Sequence, residues 1–244
     1  MNPIEEYIKA RDEQARKNQD DILLEIATQN FTEQIIRTNY VKNFTYKGVP
    51  IMQLPTDLMA MQELIWQIKP DYIIETGIAF GGMTKFYSDM LKPFRGSTVI
   101  SIDIDVRKHA EAVLDELENV HTIRLSSLSD RMPDILSVFF DEKYTTLVSL
   151  DSNHTHDHVL QELKLYAPLV SLNSYIVVFD TSVEFMNQNY IPKDRPWGKG
   201  NSPWTAVQEF LKGNDEFVAD KDIENRIVLT SAPGGWLKRV KEAK

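Results

Sequence analysis

From Tyr72 onward, short apolar runs alternate with amphipathic stretches. The runs Tyr72–Glu75, Thr98–Asp103, Val120–Leu125, Thr145–Asp151 and Tyr175–Asp180 read as strands. Between them, Met83–Leu91, Lys108–Leu117, Met132–Phe140 and Val159–Ala167 carry helical patterns. This βαβ alternation predicts a doubly wound α/β fold, a mostly parallel sheet covered by helices on both faces. Near the end, Pro203–Leu211 predicts a helix. Glu216–Ala219 and Arg226–Thr230 predict late strands at the sheet edge, with Ala232-Pro233-Gly234-Gly235 between the last strand and a basic tail.

Upstream the pattern changes. Pro3 to Thr38 reads as helical, with Ile22, Leu23 and Ile26 on one face, but lacks the later alternation. Residues 1–48 are therefore expected to be an N-terminal helical extension and residues 49–244 the main domain. Lys47-Gly48-Val49-Pro50 signals a turn, and Pro55-Thr56-Asp57 opens a helix with an apolar face of Leu58, Met61, Leu64, Ile65 and Ile68, ended by Pro70. No internal repeat or low-complexity tract supports a solenoid or propeller.

Composition narrows the function classes. The 244 residues carry a formal net charge of −9, so broad attraction to nucleic acid or anionic lipid is not expected. With no cysteine there is no disulfide framework, thiolate metal site or cysteine nucleophile. Charges from Glu5 to Lys17 argue against a secretory signal, and no uncharged apolar run approaches the roughly 20 residues that cross a bilayer. The expectation is a cytoplasmic protein without a membrane span.

In doubly wound sheets, ligands bind beyond the carboxyl ends of the strands, where the winding reverses. The first strand there ends in Glu75-Thr76-Gly77-Ile78-Ala79-Phe80-Gly81-Gly82. Glycine lets backbone approach a ligand closely, and the preceding acid can accept from an ammonium group. Gly77 and Gly81 are three residues apart rather than one, which disfavours the dinucleotide fingerprint and an NAD-linked oxidoreductase. Asp103 ends the second strand, where adenosine-binding folds hold ribose hydroxyls, while Asp105 could cap the next helix. After the fourth strand, Asp151-Ser152-Asn153-His154-Thr155-His156-Asp157-His158 gathers three imidazoles and two carboxylates. Carboxylates suit Mg²⁺ and alternating imidazoles suit a transition metal, whereas His156 and His158 could also start a helix and face water. Asp180 ends the fifth strand, so Asp151 and Asp180 could share one divalent cation.

Taken together, these residues resemble the family named after cephalosporin hydroxylase, grouped with S-adenosylmethionine-dependent sugar and rhamnosyl O-methyltransferases. The likeness rests on Ile74-Glu75-Thr76-Gly77 with Gly81-Gly82, on Ile100 to Arg107, on Leu150 to His156, on Tyr166-Ala167-Pro168-Leu169-Val170 and on Gly198 to Leu211. It implies a Rossmann-like class I methyltransferase fold, with Glu75 and Gly77 lining the methionine end of the cofactor, Asp103 on its ribose, and Ser127, Leu128 and Ser129 near its adenine. It also implies Mg²⁺ held by Asp151 and by an acid pair after the fifth strand. Here that pair reads Phe179-Asp180, and a phenyl ring is no oxygen ligand.

Methyl transfer needs a hydroxyl aligned with the sulfonium carbon and relieved of its proton. His154 is the favoured base and His156 the second choice, since neutral imidazole is ready to accept a proton. Between Thr181 and Ser202 an aromatic stretch with little periodicity reads as a lid or acceptor-binding loop. The expected acceptor is a hydroxyl of a small molecule or glycoside, with no nucleic-acid or membrane partner. The competing non-enzyme reading is a cofactor-binding module that has lost catalysis, motivated by Phe179. The N-terminal helical segment could mediate self-association into a homo-oligomer.

Overall fold

The computed structural model describes residues 2–140 and 144–242. Two helices, α1 (Pro3–Asn18) and α2 (Ile22–Arg37), precede a hairpin of β1 (Thr45–Tyr46) and β2 (Val49–Pro50) and the helix α3 (Pro55–Ile68). The alternating segment runs β3 (Tyr72–Thr76), α4 (Gly82–Leu91), β4 (Thr98–Asp103), α5 (Lys108–Leu114), β5 (Val120–Arg124), α6 (Met132–Ser137), β6 (Thr146–Leu150), α7 (His156–Tyr166) and β7 (Tyr175–Val178). Then come α8 (Pro203–Gly213), β8 (Phe217–Ala219), α9 (Lys221–Ile227) and β9 (Trp236–Arg239).

Seven strands form one sheet in the order β5-β4-β3-β6-β7-β9-β8. Strands β3 to β7 run parallel, and β9 is antiparallel to both its neighbours. The chain winds outward from β3 to β5 and returns to β6 on the other side of β3. The switch point therefore lies between the tips of β3 and β6. Strand alternation supplies two buried faces. Ile73, Val99, Leu147 and Val177 meet Met61, Leu64, Phe86 and Tyr87 of α3 and α4. Ile74, Ile100, Val148 and Ile176 meet Leu136, Leu163 and Val207 of α6, α7 and α8. Each fully buried aliphatic side chain is worth about 1.5–3 kcal/mol, so these two layers hold the strand tips in place.

The five parallel strands lie where the apolar runs predict them, with ends shifted by one or two residues. The helices α5 and α6 stop earlier than their patterns suggest, and α7 starts earlier, at His156. The helical N-terminal segment is two helices parted at Gln19–Asp21, and Ile22, Leu23 and Ile26 remain exposed rather than forming a covered face. In α3, Met61, Leu64 and Ile65 are buried as expected.

The C-terminal expectation is corrected. Arg226 and Ile227 end α9, and residues 228–230 follow without strand pairing. Asp220 caps α9 by accepting from the amides of Asp222 and Ile223, and Ile223 with Ile227 has helical spacing. The supposed basic tail after Gly235 is instead β9, inserted between β7 and β8; Ala243 and Lys244 lie outside the described residues. Its charged look misleads because Arg239 is buried, donating to the carbonyls of Val170 and Pro168 and pairing with Glu216 at 3.0 Å. Among the described residues no helix is long and apolar enough to cross a membrane.

Trp236 on β9 is fully buried, edge-on to Phe179 at 6.0 Å. Trp236→Ala is expected to cost about 3–5 kcal/mol in urea unfolding, as for other large core truncations. A loss under about 1 kcal/mol would show that β9 is a loose edge and not part of the core.

Candidate active site

The tip of β3 is built around a buried acid. Glu75 is 1% exposed, and its Oε2 accepts from Thr84 Oγ1 at 2.5 Å and Ser101 Oγ at 2.7 Å, while Oε1 has no partner. Burial pushes its pKa up to about 8, against the lowering effect of those two hydroxyls. Two residues on, Gly77 has φ +90°, and a Cβ there would lie 2.1 Å from the carbonyl oxygen of Asp151. Only glycine permits this junction of the β3 and β6 tips. Gly81 precedes α4 with φ +82°. Gly82 faces the hairpin rather than open space, since a Cβ there would meet Pro50 O at 2.2 Å.

At the β4 tip, Asp103 accepts the Ile78 amide on Oδ2 and the Asp105 amide on Oδ1, at 2.8 and 2.9 Å. Each carboxylate oxygen keeps a lone pair for a ligand hydroxyl. Asp105 does not cap α5, whose N-cap is Arg107, but lies 3.5 Å from the Arg107 guanidinium. Beyond β5, Ser127 is buried with its Oγ 3.1 Å from His158 Nε2, and Leu128 is half-buried, its amide donating to Ser126 Oγ.

The β6 and β7 tips bring Asp151, His154 and Asp180 together, with one potential ligand atom from each lying within 4.8 Å of the others. His154 sits between the acids, Nε2 3.4 Å from Asp151 Oδ1 and Nδ1 3.4 Å from Asp180 Oδ2. Nδ1 is buried and makes no hydrogen bond. Burial pushes Asp151 up to about 6. For His154 burial acts downward, but the neighbouring Asp180 and Asp151 charges outweigh it and its pKa rises. Asp180 has left-handed backbone at φ +55°, and alternation along β7 sends its neighbour Phe179 into the core against Trp236. A residue at position 179 thus faces the α3 layer and not the His154 cluster.

The other two histidines lie apart from that cluster. His156 Nδ1 is 2.9 Å from Thr205 Oγ1 and its Nε2 3.3 Å from Glu209, so α8 holds it away from Asp151. His158 does not simply face water: it reaches Ser127 and Ser152. Asp157 lies in the first turn of α7, as a helix-start charge should.

Two further features join the site. From the Thr181–Ser202 connection, Trp197 covers His154 with ring centroids 5.3 Å apart. Glu184 ties this loop down, accepting from the Gly200 amide and the Ser202 hydroxyl at 2.9 and 2.7 Å. Gln53, before α3, donates to Asp151 Oδ2 at 2.8 Å. No spacing in the sequence marks Gln53, whereas aromatic density marks the Trp197 loop.

The model of the family described as Rhamnosyl O-methyltransferase/CmcI matches residues 38–240. The chain belongs to this family. It is similar to the rhamnosyl O-methyltransferase of Mycobacterium tuberculosis strain H37Rv, 26% identical over 207 residues, covering 80% of this chain and 78% of the relative. With that of Mycobacterium leprae it shares 28% over 211 residues, covering 82% and 86%. Two solved forms of CmcI share the fold at 17% identity. The apo form has a TM-score of 0.61 and covers 82% of this chain and 77% of that one. The form with Mg and SAM has a TM-score of 0.58 and covers 82% and 78%.

The raised pKa of Glu75 carries a sign. The folded chain keeps this proton where the unfolded chain has lost it, so the group favours folding at low pH and that contribution is lost as pH rises toward about 8. In cofactor-free protein the melting-temperature gain of Glu75→Gln over the parent is expected to grow between about pH 5 and pH 9. A difference independent of pH would mean that Glu75 titrates like an exposed acid.

Proposed function

We propose that the crevice between the β3, β4 and β6 tips transfers the methyl group of S-adenosylmethionine to a hydroxyl of a small glycosylated acceptor. The reaction class, O-methyl transfer from that donor, comes with family membership; the acceptor and the residue roles rest on the site. The carrying observation is His154 flanked by Asp151 and Asp180 beside a glycine-lined strand tip.

The residues fit both implied groups. Asp103 has free lone pairs for ribose hydroxyls, and Gly77 lets the β3 and β6 tips close together beside it. Glu75 lies beneath the end that would receive the methionine ammonium. When bound, the cofactor supplies an electrophilic methyl group on a positively charged sulfur. Asp151 and Asp180 would hold a divalent cation, with His154 as a nitrogen neighbour, and a bound cation lowers the pKa of a coordinated hydroxyl. With Phe179 turned into the core, this set has two carboxylates rather than three. Two carboxylates are consistent with Mg²⁺, which usually keeps several waters.

His154 then acts as the base. Both ring nitrogens face carboxylates, Nε2 toward Asp151 and Nδ1 toward Asp180, so the acceptor hydroxyl gives its proton to the ring by entering between His154 and one of these acids. Asp151 and Asp180 favour the imidazolium that results, as a carboxylate does beside other catalytic histidines. Trp197 covers the ring and limits water at the reacting oxygen. His156, held by Thr205 and Glu209, positions α7 against α8.

Relatives named for rhamnosyl groups make a rhamnoside the first acceptor to test. The same reading treats residues 1–48 as an extension whose exposed Ile22, Leu23 and Ile26 support self-association, and keeps the enzyme in the cytoplasm.

The test begins with calorimetric titration of S-adenosylhomocysteine, followed by labelled methyl transfer to methyl α-L-rhamnopyranoside and other hydroxylated glycosides, with and without Mg²⁺. His154→Ala is expected to lower turnover about 10²–10⁴-fold while changing cofactor affinity less than threefold. An equal collapse of both would remove His154 from the base role, and saturating cofactor without heat or thermal protection would overturn the whole reading.

A further inference from the structure

A second buried polar group lies on the other side of the crevice, outside the His154 cluster. Glu162 on α7 is 0% exposed, and one of its oxygens, Oε2, has no partner. Burying an acid in an apolar layer is costly unless it is well bonded, so its contacts need a reason. Its Oε1 accepts from Ser152 Oγ at 2.7 Å, and Ser152 directly follows Asp151. The same Ser152 Oγ lies 3.2 Å from His158 Nε2, which lies 3.1 Å from Ser127 Oγ and 3.4 Å from Glu162 Oε1 itself. Tyr166, also on α7, donates to the Ser127 carbonyl at 2.7 Å.

Sheet order gives these contacts their meaning. In β5-β4-β3-β6 the loops after β5 and β6 stand on opposite sides of the β4 and β3 tips. Three strand spacings of about 4.8 Å separate the β5 and β6 strands themselves. Yet one nitrogen, His158 Nε2 on α7, lies 3.1 Å from Ser127 Oγ and 3.2 Å from Ser152 Oγ, so the two loops lean together around His158. A nucleoside whose sulfur lies over β3 and whose ribose meets Asp103 on β4 carries its base onward toward β5 and Ser127.

Hydrogen counting then sets the direction of the chain of bonds. Ser152 has one hydroxyl proton, and it goes to Glu162. Ser152 Oγ can therefore only accept from His158, which, with the Glu162 carboxylate also facing that nitrogen, places a proton on His158 Nε2, an N–H shared with Ser127 Oγ. The Ser127 hydroxyl proton has no acceptor among the described residues. We propose that Glu162, acting through Ser152 and His158, is a positioning residue that keeps the Ser127 hydroxyl as a donor for an acceptor nitrogen of the base. The proposal rests on the cofactor reading above, which puts Ser127 near the base, and adds which residues orient its hydroxyl.

The test is the dissociation constant of S-adenosylhomocysteine, measured by calorimetry with no acceptor present. Glu162→Leu and Ser152→Ala are each expected to weaken binding about tenfold or more, whereas Glu162→Gln, which keeps an acceptor for Ser152, stays within about threefold. Ser127→Ala is expected to weaken it similarly, and the Ser127→Ala, Ser152→Ala double variant to bind no worse than either single one, because Ser152 acts only through the Ser127 hydroxyl. A purely structural role predicts additive losses and no rescue by glutamine. Should Glu162→Leu not fold, the Ser152→Ala arm decides alone. Parent-like binding by Ser152→Ala, or additive losses, would overturn the proposal while leaving the methyl-donor reading intact; no binding by the parent chain would overturn both.

Discussion

The carbonyl of Asp151 occupies the place where a side chain on residue 77 would be. That one backbone approach joins the tip of β3 to the tip of β6, which are the two sides of the switch point. It brings the glycine turn, the buried Glu75 and the Asp151–His154 loop into one crevice. A methyl group at position 77 would have to displace the backbone that carries the site's central carboxylate. Glycine is demanded here by steric exclusion as well as by positive φ, and the rest of the site inherits its spacing from that contact.

Around this junction the fold spends buried polar groups freely. Glu75, Glu162, Asp57 and Gln53 are all nearly inaccessible, in a chain whose net charge is already −9. The three acids are held by hydroxyls or amides of other segments, Thr84 and Ser101 on Glu75, Ser152 on Glu162 and the Ser231 hydroxyl and amide on Asp57, and Gln53 donates to the Asp151 carboxylate. Burial pushes Asp57, like Asp151, up to about 6. Such groups gain little net stability from their bonds and lose much when a partner is removed. They are better understood as fixing the direction of strand tips than as holding the fold together, a task left to the two apolar layers.

Phe179 shows how a departure from an expected pattern acquires meaning only in three dimensions. In the sequence it reads as the loss of a metal-binding acid. In the fold it is a core residue packed on Trp236, and Asp180 turns toward the His154 cluster through a left-handed backbone. Asp151 and Asp180 share His154 between them, each 3.4 Å from a ring nitrogen. The arrangement therefore pairs two acids with an imidazole, which bears on both proton transfer and cation choice.

Local pattern alone determined the five parallel strands, the helices between them, and the placing of Glu75, Gly77, Asp103, Asp151 and Asp180 at strand ends, because hydrophobic period and chain order are properties of neighbouring residues. It failed at β9 and α9, where Arg239 and Trp236 depend on partners distant in the chain, Pro168, Val170 and Phe179. His154 and His156 looked alike as adjacent imidazoles in one loop, and only packing separated them: Trp197, Asp151 and Asp180 surround the first, Thr205 and Glu209 the second. Gln53 meets Asp151 across 98 positions, and Ser127 meets His158 across 31. Contacts of that range are decided when the sheet closes its strand order, since they follow from which tips become neighbours and not from any residue's own preference.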